Sequence, residues 1–285
     1  MRSGFFYLSM QEFYLFEAGS TKTTMAAYSS DGLLRVDLPG INPNRDTGAF
    51  KEALEQTLFP NKGGTVFFYG SGLASDKNKE IIRSLFKDWA PEKIEIQDDL
   101  IGAARAAFQK EPGIIAILGT GGICAYYDGE RIVSRRGGYG YLIDDNGGGY
   151  ELGKKVVAAW LNNDLSSEID SIITAYFKIQ KSEFTSWYYE SKDLGVISSL
   201  ILELSDKFHD PSLERIARKY FSDFVKINVL PLCSEQEDIK VKLVGSIAKA
   251  FEDLITNELI GCGIECDEVI KLPMEKLLAY HIENS

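Results

Sequence analysis

One layout occurs twice in this chain of 285 residues, and it restricts the fold more than any other feature. In the first copy the apolar run Phe13-Tyr14-Leu15-Phe16 enters the loop Glu17-Ala18-Gly19-Ser20-Thr21-Lys22-Thr23. A strand-like run over 24–28 follows, then an Asp31-Gly32 turn and a further run over 33–38. The second copy starts about one hundred residues later, with an apolar run over 114–118 and the loop Gly119-Thr120-Gly121-Gly122. It continues through 123–127, an Asp128-Gly129 turn and 130–134. Asp-Gly between strand-like runs is a strong hairpin signal. An internal repeat of this kind outranks single-segment readings, and here it implies two similar α/β lobes, each opening on a hairpin with a phosphate-sized loop.

The segments between the copies fit that class. Apolar positions 53, 54 and 58 suggest a helix over 51–59. Residues 65–69 read as a buried strand ending at Gly70-Ser71-Gly72, and 77–89 carries a helical apolar face. A short strand over 94–96 precedes an Ala-rich helix over 100–108. Strands alternating with helices argue for parallel pairing. The C-terminal part reads as mostly helical, over 151–163, 166–180, 195–208, 212–229, 247–260 and 273–281.

A net charge of −11 argues against a nucleic-acid partner, which would call for a basic face. It leaves an anionic substrate open, because backbone N–H groups in a loop can hold phosphate within an acidic protein. Gln11 and Glu12 interrupt the first apolar stretch, so the opening residues do not read as a signal peptide. No run approaches the roughly 20 apolar residues of a membrane helix. The four cysteines, at 124, 233, 262 and 266, suit a reducing cytoplasm. Cys262 and Cys266 lack the further ligands that zinc would need.

Five places carry candidate chemistry. Asp98 and Asp99 stand where a strand meets a helix. An aspartate before a helix is a common N-cap, whereas one at a strand's carboxyl end is placed for a ligand, so with two available both roles stay open. The loops 17–23 and 119–122 could direct backbone N–H groups at phosphate, the first adding the hydroxyls of Ser20, Thr21 and Thr23 and the charge of Lys22. The glycine-rich stretch 137–149 contains Asp144, Asp145 and Asn146, which suits a polar-ligand loop better than a linker. Gly40-Ile41-Asn42-Pro43 is either a plain turn or an asparagine amide held for a substrate hydroxyl.

Taken in order, these stretches resemble the acetate-and-sugar-kinase, heat-shock and actin superfamily. Within it they are most similar to bacterial N-acetylglucosamine kinase-like proteins of the BadF/BadG/BcrA/BcrD-type ATPase group. The likeness runs through GSTKT at 19–23, GINP at 40–43, FYGSG at 68–72, DLIGAARA at 99–106 and ILGTG at 117–121. It continues in GYGYLIDDNGGGYELGK at 138–154, VGSIA at 244–248 and PMEKLLAYH at 273–281.

The resemblance implies an α/β fold of two ribonuclease H-like, actin-like ATPase lobes with a nucleotide cleft between them. The lobes would cover 1–112 and 113–285, with the last helix a candidate to pack back on the first. It implies ATP-dependent phosphorylation of a sugar hydroxyl in the cytoplasm, on an amino sugar such as N-acetylglucosamine, with ATP and Mg2+. It leaves a homodimer open. Asp99 would be the general base. Gly19, Ser20, Thr21, Lys22, Thr23, Gly119, Thr120 and Gly121 would hold phosphate, and Gly245 and Ser246 would border the adenosine. Asn42, Asp99, Gly122 and Asp145 would contact sugar, and Glu17 would hold the metal's water shell.

The chain departs from the family pattern at functional positions. Glu17 stands in place of an aspartate, which moves the carboxylate by about one C–C bond. Gly122 and Ile123 replace a serine and an asparagine, and Asn146 replaces a glutamate. These departures motivate an alternative, a sugar- or nucleotide-binding sensor with weak or no transfer. An ATPase that activates a 2-hydroxyacyl-CoA dehydratase through an iron–sulfur cluster ranks last, because the cysteine spacing does not suit a bridging cluster.

Overall fold

Both copies of the repeated layout form three antiparallel strands in the computed structural model, which describes residues 13–284 apart from 20, 21, 31, 45, 46, 58–63, 192, 193 and 235–238. The chain divides into two units, Met1–Gln109 with Met274–Ser285, and Lys110–Pro273.

In the first unit β1 (Phe13–Ala18) pairs with β2 (Lys22–Ser29), and β2 pairs with β3 (Gly32–Pro39). Gly32 takes a φ of +127° at the start of β3, a conformation that glycine adopts without strain. Asp31 of the expected turn lies outside the described residues. The chain then runs through α1 (Gly48–Gln56), β4 (Thr65–Gly70), α2 (Asp76–Leu85), β5 (Lys93–Asp98) and α3 (Asp99–Phe108). β4 lies parallel to β1, and β5 parallel to β4, so the sheet order is β3-β2-β1-β4-β5. β1 is central, which explains its unbroken apolar run: a strand covered on both faces has no solvent side. Tyr14 and Phe16 point into a cluster with Phe50, Phe68 and Phe86, while Phe13 and Leu15 share the opposite face with Tyr69 and Ala106.

The second unit repeats this topology. β6 (Gly113–Leu118), β7 (Gly122–Tyr127) and β8 (Ile132–Gly137) form the meander. Next come α4 (Gly149–Leu161), α5 (Ser167–Phe177), α6 (Phe184–Ser191), α7 (Leu194–Glu203) and α8 (Pro211–Phe224). A π-turn at Val225–Val229 and α9 (Leu230–Cys233) precede β9 (Val241–Val244), α10 (Ser246–Ala250), α11 (Glu252–Gly261) and β10 (Cys266–Ile270). β9 lies parallel to β6, and β10 parallel to β9, giving the order β8-β7-β6-β9-β10. Strand for strand, this is the order of the first sheet.

The helical expectation for the C-terminal part needs correction at several points. β9 and β10 are strands in the gaps between the expected helices, where no element was expected; they are short and carry Lys242, Asp267 and Glu268, whose ion pairs at 3.3 Å join the two. α6 lies where no helix was expected. The segment 195–208 is α7 followed by a short 3-10 turn at Ser205–Lys207. The segment 247–260 is two helices, broken at Phe251, whose φ of −117° is not helical. The segment 212–229 ends its α-helical part at Phe224 and continues as the π-turn.

The final helix, α12 (Met274–Asn284), belongs to the first unit, where Met274, Leu277 and Leu278 pack in the cluster of Phe13 and Leu15. It also brings in His281, which is buried, stacks on Phe67 and meets the Tyr69 hydroxyl at 2.9 Å. Arg105 donates to the same hydroxyl and to Glu95, both at 2.6 Å. Burial, reinforced by Arg105, pushes His281 down to about 4. Among the described residues no helix is long and apolar enough to cross a membrane.

Candidate functional site

In the first unit the strand register decides which side chains share one end of the sheet. Ala18, Gly70 and Asp98 lie in one row across the parallel strands β1, β4 and β5, and Glu17, Tyr69 and Gln97 in the row before it. Glu17 and the Asp98-Asp99 pair therefore stand at the carboxyl ends of parallel strands, where α/β sheets bind ligands.

The two aspartates divide the roles that the sequence left open. Asp98 has an extended backbone (φ −66°, ψ 149°), and its Oδ1 accepts the Leu100 N–H at 3.2 Å, so Asp98 is the N-cap of α3. Asp99 is the first residue of the helix and is free of that duty. Removal from water raises its proton affinity well above the carboxylate range. The charge of Asp98, a hydrogen bond shared with it, and Glu17 add to this, while the Leu100 N–H opposes it. Glu17 is lifted to about 7 by burial, against a downward pull from Lys22.

At the first loop Gly19 N–H donates to Lys22 O at 2.8 Å. Ile41 N–H donates to Gly19 O at 3.0 Å, which ties Asn42 to this loop. Asn42 Oδ1 accepts the Asn44 N–H at 2.9 Å. Asn44 Oδ1 accepts from Asn78 Nδ2, which also reaches Gly72 O at 2.8 Å. The buried Asn78 thus braces the Asn42 turn, and no local pattern in the sequence marks it. Lys22 is turned toward Asp37 on β3 at 2.9 Å, both side chains being well exposed. Thr23 faces the interior, its hydroxyl without a hydrogen-bond partner among the described residues. Ser20 and Thr21 lie outside the described residues.

In the second unit, loops 119–122 and 144–149 are laced together. Gly149 N–H donates to Gly119 O at 2.8 Å and Tyr150 N–H to Thr120 O at 3.0 Å, so the first amides of α4 are taken up by this loop. The amides of Thr120 and Gly121 donate to no acceptor among the described residues. A Cβ on Gly122 would stand 2.2 Å from Asn146 O, so glycine there serves the close approach of the two loops. Ile123 packs against Gly138. Asp145 lies beside Gly121, where a Cβ would come within 2.8 Å of its Oδ2. Its Oδ1 accepts the Gly140 N–H at 3.2 Å, and burial nonetheless pushes its carboxyl up to about 6. Tyr220, from α8, accepts the Gly147 N–H and donates to Gly148 O at 2.7 and 2.8 Å. Gly245, with a φ of +121°, ends β9 against Leu118 O, where a Cβ would come within 2.4 Å, and Ser246 opens α10.

The expected residues therefore gather in two groups. Glu17, Gly19, Asn42 and Asp99 stand at one end of the first sheet. Gly119, Thr120, Gly121, Gly122 and Asp145 join at the second, with Gly245 reached through Leu118. Lys22 and Thr23 are directed elsewhere. Among the described residues no group of three or more His, Cys, Asp or Glu side chains forms a metal cage.

No family model matches the chain. It is 34% identical over 94 residues to the N-acetylmuramic acid/N-acetylglucosamine kinase of Clostridium acetobutylicum, covering 33% of this chain and 31% of that protein. To the N-acetyl-D-glucosamine kinase of Dictyostelium discoideum it is 26% identical over 212 residues, covering 65% and 66%. The matches thus span less than two thirds of either relative's length. Among solved structures, a candidate N-acetylglucosamine kinase from Porphyromonas gingivalis superimposes with a TM-score of 0.86 at 24% identity, over 95% of this chain and 99% of its own. A glucokinase from Streptomyces griseus, solved with glucose and AMPPNP, matches with a TM-score of 0.58 at 13% identity, over 96% and 99%. The chain has the α/β fold that sugar kinases share with actin-like ATPases.

Proposed function

We propose that this chain transfers the γ-phosphoryl group of ATP to a sugar hydroxyl, and that the acceptor is an amino sugar such as N-acetylglucosamine. The observation that carries this reading is the separation of Asp98 from Asp99: one caps the helix, and the other keeps a carboxylate of raised proton affinity at the strand ends. A carboxylate of raised proton affinity suits the proton of an attacking hydroxyl. The kinases among the curated relatives support the acceptor class.

Asp99 takes the hydroxyl proton as the new O–P bond forms and the bond to ADP breaks, ADP leaving with the electron pair. Asn42 and Asp145 hold sugar hydroxyls, and the open amides of Thr120 and Gly121 hold phosphate oxygens. Gly245 and Ser246 border the adenosine. Positioning and charge neutralisation supply most of the catalysis in such transfers.

Mg2+ fits this donor set. It is usually held by one or two carboxylates together with waters and substrate phosphates, so a cage of three side chains is not required. Glu17, whose burial already strains its negative charge, is the residue that would hold the ion. Bound there, Mg2+ would neutralise phosphate charge. A cytoplasmic location accompanies this reading, since it supplies ATP and keeps four free thiols reduced.

The test is ADP release from Mg-ATP by purified protein across a panel of amino sugars and hexoses, with N-acetylglucosamine expected to give the largest response. Background rates with every sugar would refute the proposal. A second reading, a binding sensor without transfer, is favoured by Lys22 being drawn to Asp37 and by Asn146 being engaged within the protein. Calorimetric binding of sugar or nucleotide without turnover would decide for it.

A further inference from the structure

One helix grips the Asp145 loop at two points. Tyr220 bridges Gly147 and Gly148. Eight residues on, Asn228 Oδ1 accepts from Asn146 Nδ2 at 3.1 Å. In a regular α-helix, eight steps would carry Asn228 about 80° past Tyr220. The π-turn accommodates one extra residue, so the pair approaches seven α-helical steps, about 20° from alignment. Leu230 N–H closes that turn on Val225 O, and Pro231, without an N–H, stops a regular ladder from resuming at once.

Asn228 is only 1% exposed, on a helix that apart from Tyr220 turns the apolar Phe221, Phe224, Val225 and Val229 inward. Burying an amide is costly unless it is hydrogen-bonded. Its one side-chain hydrogen bond among the described residues goes to the neighbour of Asp145. β8 makes room for it: a Cβ on Gly137 would lie 2.9 Å from Asn228 Nδ2.

We propose that Asn228, phased by the π-turn, is a positioning residue for sugar binding. It holds Asn146, and through it sets Asp145 between the Gly140 amide and Gly121. The inference rests on Asp145 being a sugar ligand. It assigns Asn146 a structural partner in place of a ligand.

The test compares Asn228→Leu, which keeps the volume and loses the amide, with Asn228→Asp, which keeps an oxygen to accept from Asn146. Asn228→Leu is expected to raise the sugar KM about tenfold, the equivalent of one hydrogen bond's worth of placement. The KM for ATP should stay within about twofold, and the amides of 144–148 should exchange faster with deuterium while those of α4 do not. Asn228→Asp should restore both readouts. The idea is overturned if folded Asn228→Leu keeps the wild-type sugar KM, if both KM values rise together, or if Asn228→Asp behaves as Asn228→Leu does. Should Asn228→Leu not fold, Asn146→Ala removes the same bond from the loop side and is read in the same way. A wild-type protein that phosphorylates no sugar refutes the kinase proposal. The exchange comparison then judges Asn228 separately, unchanged protection at 144–148 counting against it.

Discussion

Tyr220→Phe removes one oxygen from the interior of the second unit and should destabilise it by about 3 kcal/mol. The ring itself keeps its packing, since Phe fills the same space in a side chain only 2% exposed. What is lost is a pair of hydrogen bonds, at 2.7 Å from Gly147 N–H and 2.8 Å to Gly148 O. Both glycines are buried, so the Gly147 N–H is left without a partner or water when the hydroxyl goes, while Gly148 O keeps the Leu152 N–H at 3.2 Å. An orphaned buried donor costs about 1–3 kcal/mol, and the middle of that range together with about 1 kcal/mol for the second hydrogen bond gives the figure above. For a domain of this size that corresponds to a fall of about 6–12 °C in melting temperature. Urea unfolding of the two proteins, with the slope compared to check that only stability changed, provides the measurement. A loss below about 0.5 kcal/mol would mean that the hydroxyl does not brace the loop, and the account of how 144–149 is held would fail.

The remaining expectations concern pH, charge and the second loop. His281, depressed from 6.5 to about 4, leaves the unfolded chain binding more protons between those values. Its stabilisation is complete above pH 6.5 and lost as pH falls toward 4, by about 3 kcal/mol, so His281→Gln should flatten the acid limb of urea unfolding in metal-free protein. Glu17, raised from 4.5 to about 7, acts oppositely: its contribution is present below 4.5 and lost as pH rises through 7, so Glu17→Gln should steepen the same limb. Lys22→Ala breaks an exposed ion pair and should change stability by no more than about 0.5 kcal/mol. A raised KM for ATP in that variant would show that Lys22 leaves Asp37 for phosphate. Gly122→Ala must displace backbone, with a Cβ 2.2 Å from Asn146 O, and should cost about 1–3 kcal/mol by melting.

Much of the fold was legible because its punctuation is local. Glycine loops and Asp-Gly pairs recur in the sequence of both meanders, and the unbroken apolar runs of β1 and β6 announce central strands covered on both faces. β9 and β10 were not legible. They have four and five residues, with charges that are satisfied only across the strand pair. The break at Phe251 has no glycine or proline to mark it, and none marks the change from α-helix to π-turn after Phe224. At the site, the residue types were readable but their division of labour was not. Which of Asp98 and Asp99 caps α3 depends on backbone angles. Lys22 meets Asp37 because of register, and Asn78, Tyr220 and Asn228 reach their loops from distant segments that carry no motif.

The central claim is that Asp99 accepts the proton of a sugar hydroxyl during phosphoryl transfer. The most direct measurement is the sugar-dependent rate of ADP release by Asp99→Asn beside wild type, with sugar and nucleotide binding followed by calorimetry. Asparagine preserves size and hydrogen bonding but cannot act as a base, so turnover should fall by about 10²–10⁴ while both ligands still bind. An Asp99→Asn protein that retains wild-type turnover, or a wild type with no sugar-dependent ADP release, would contradict it.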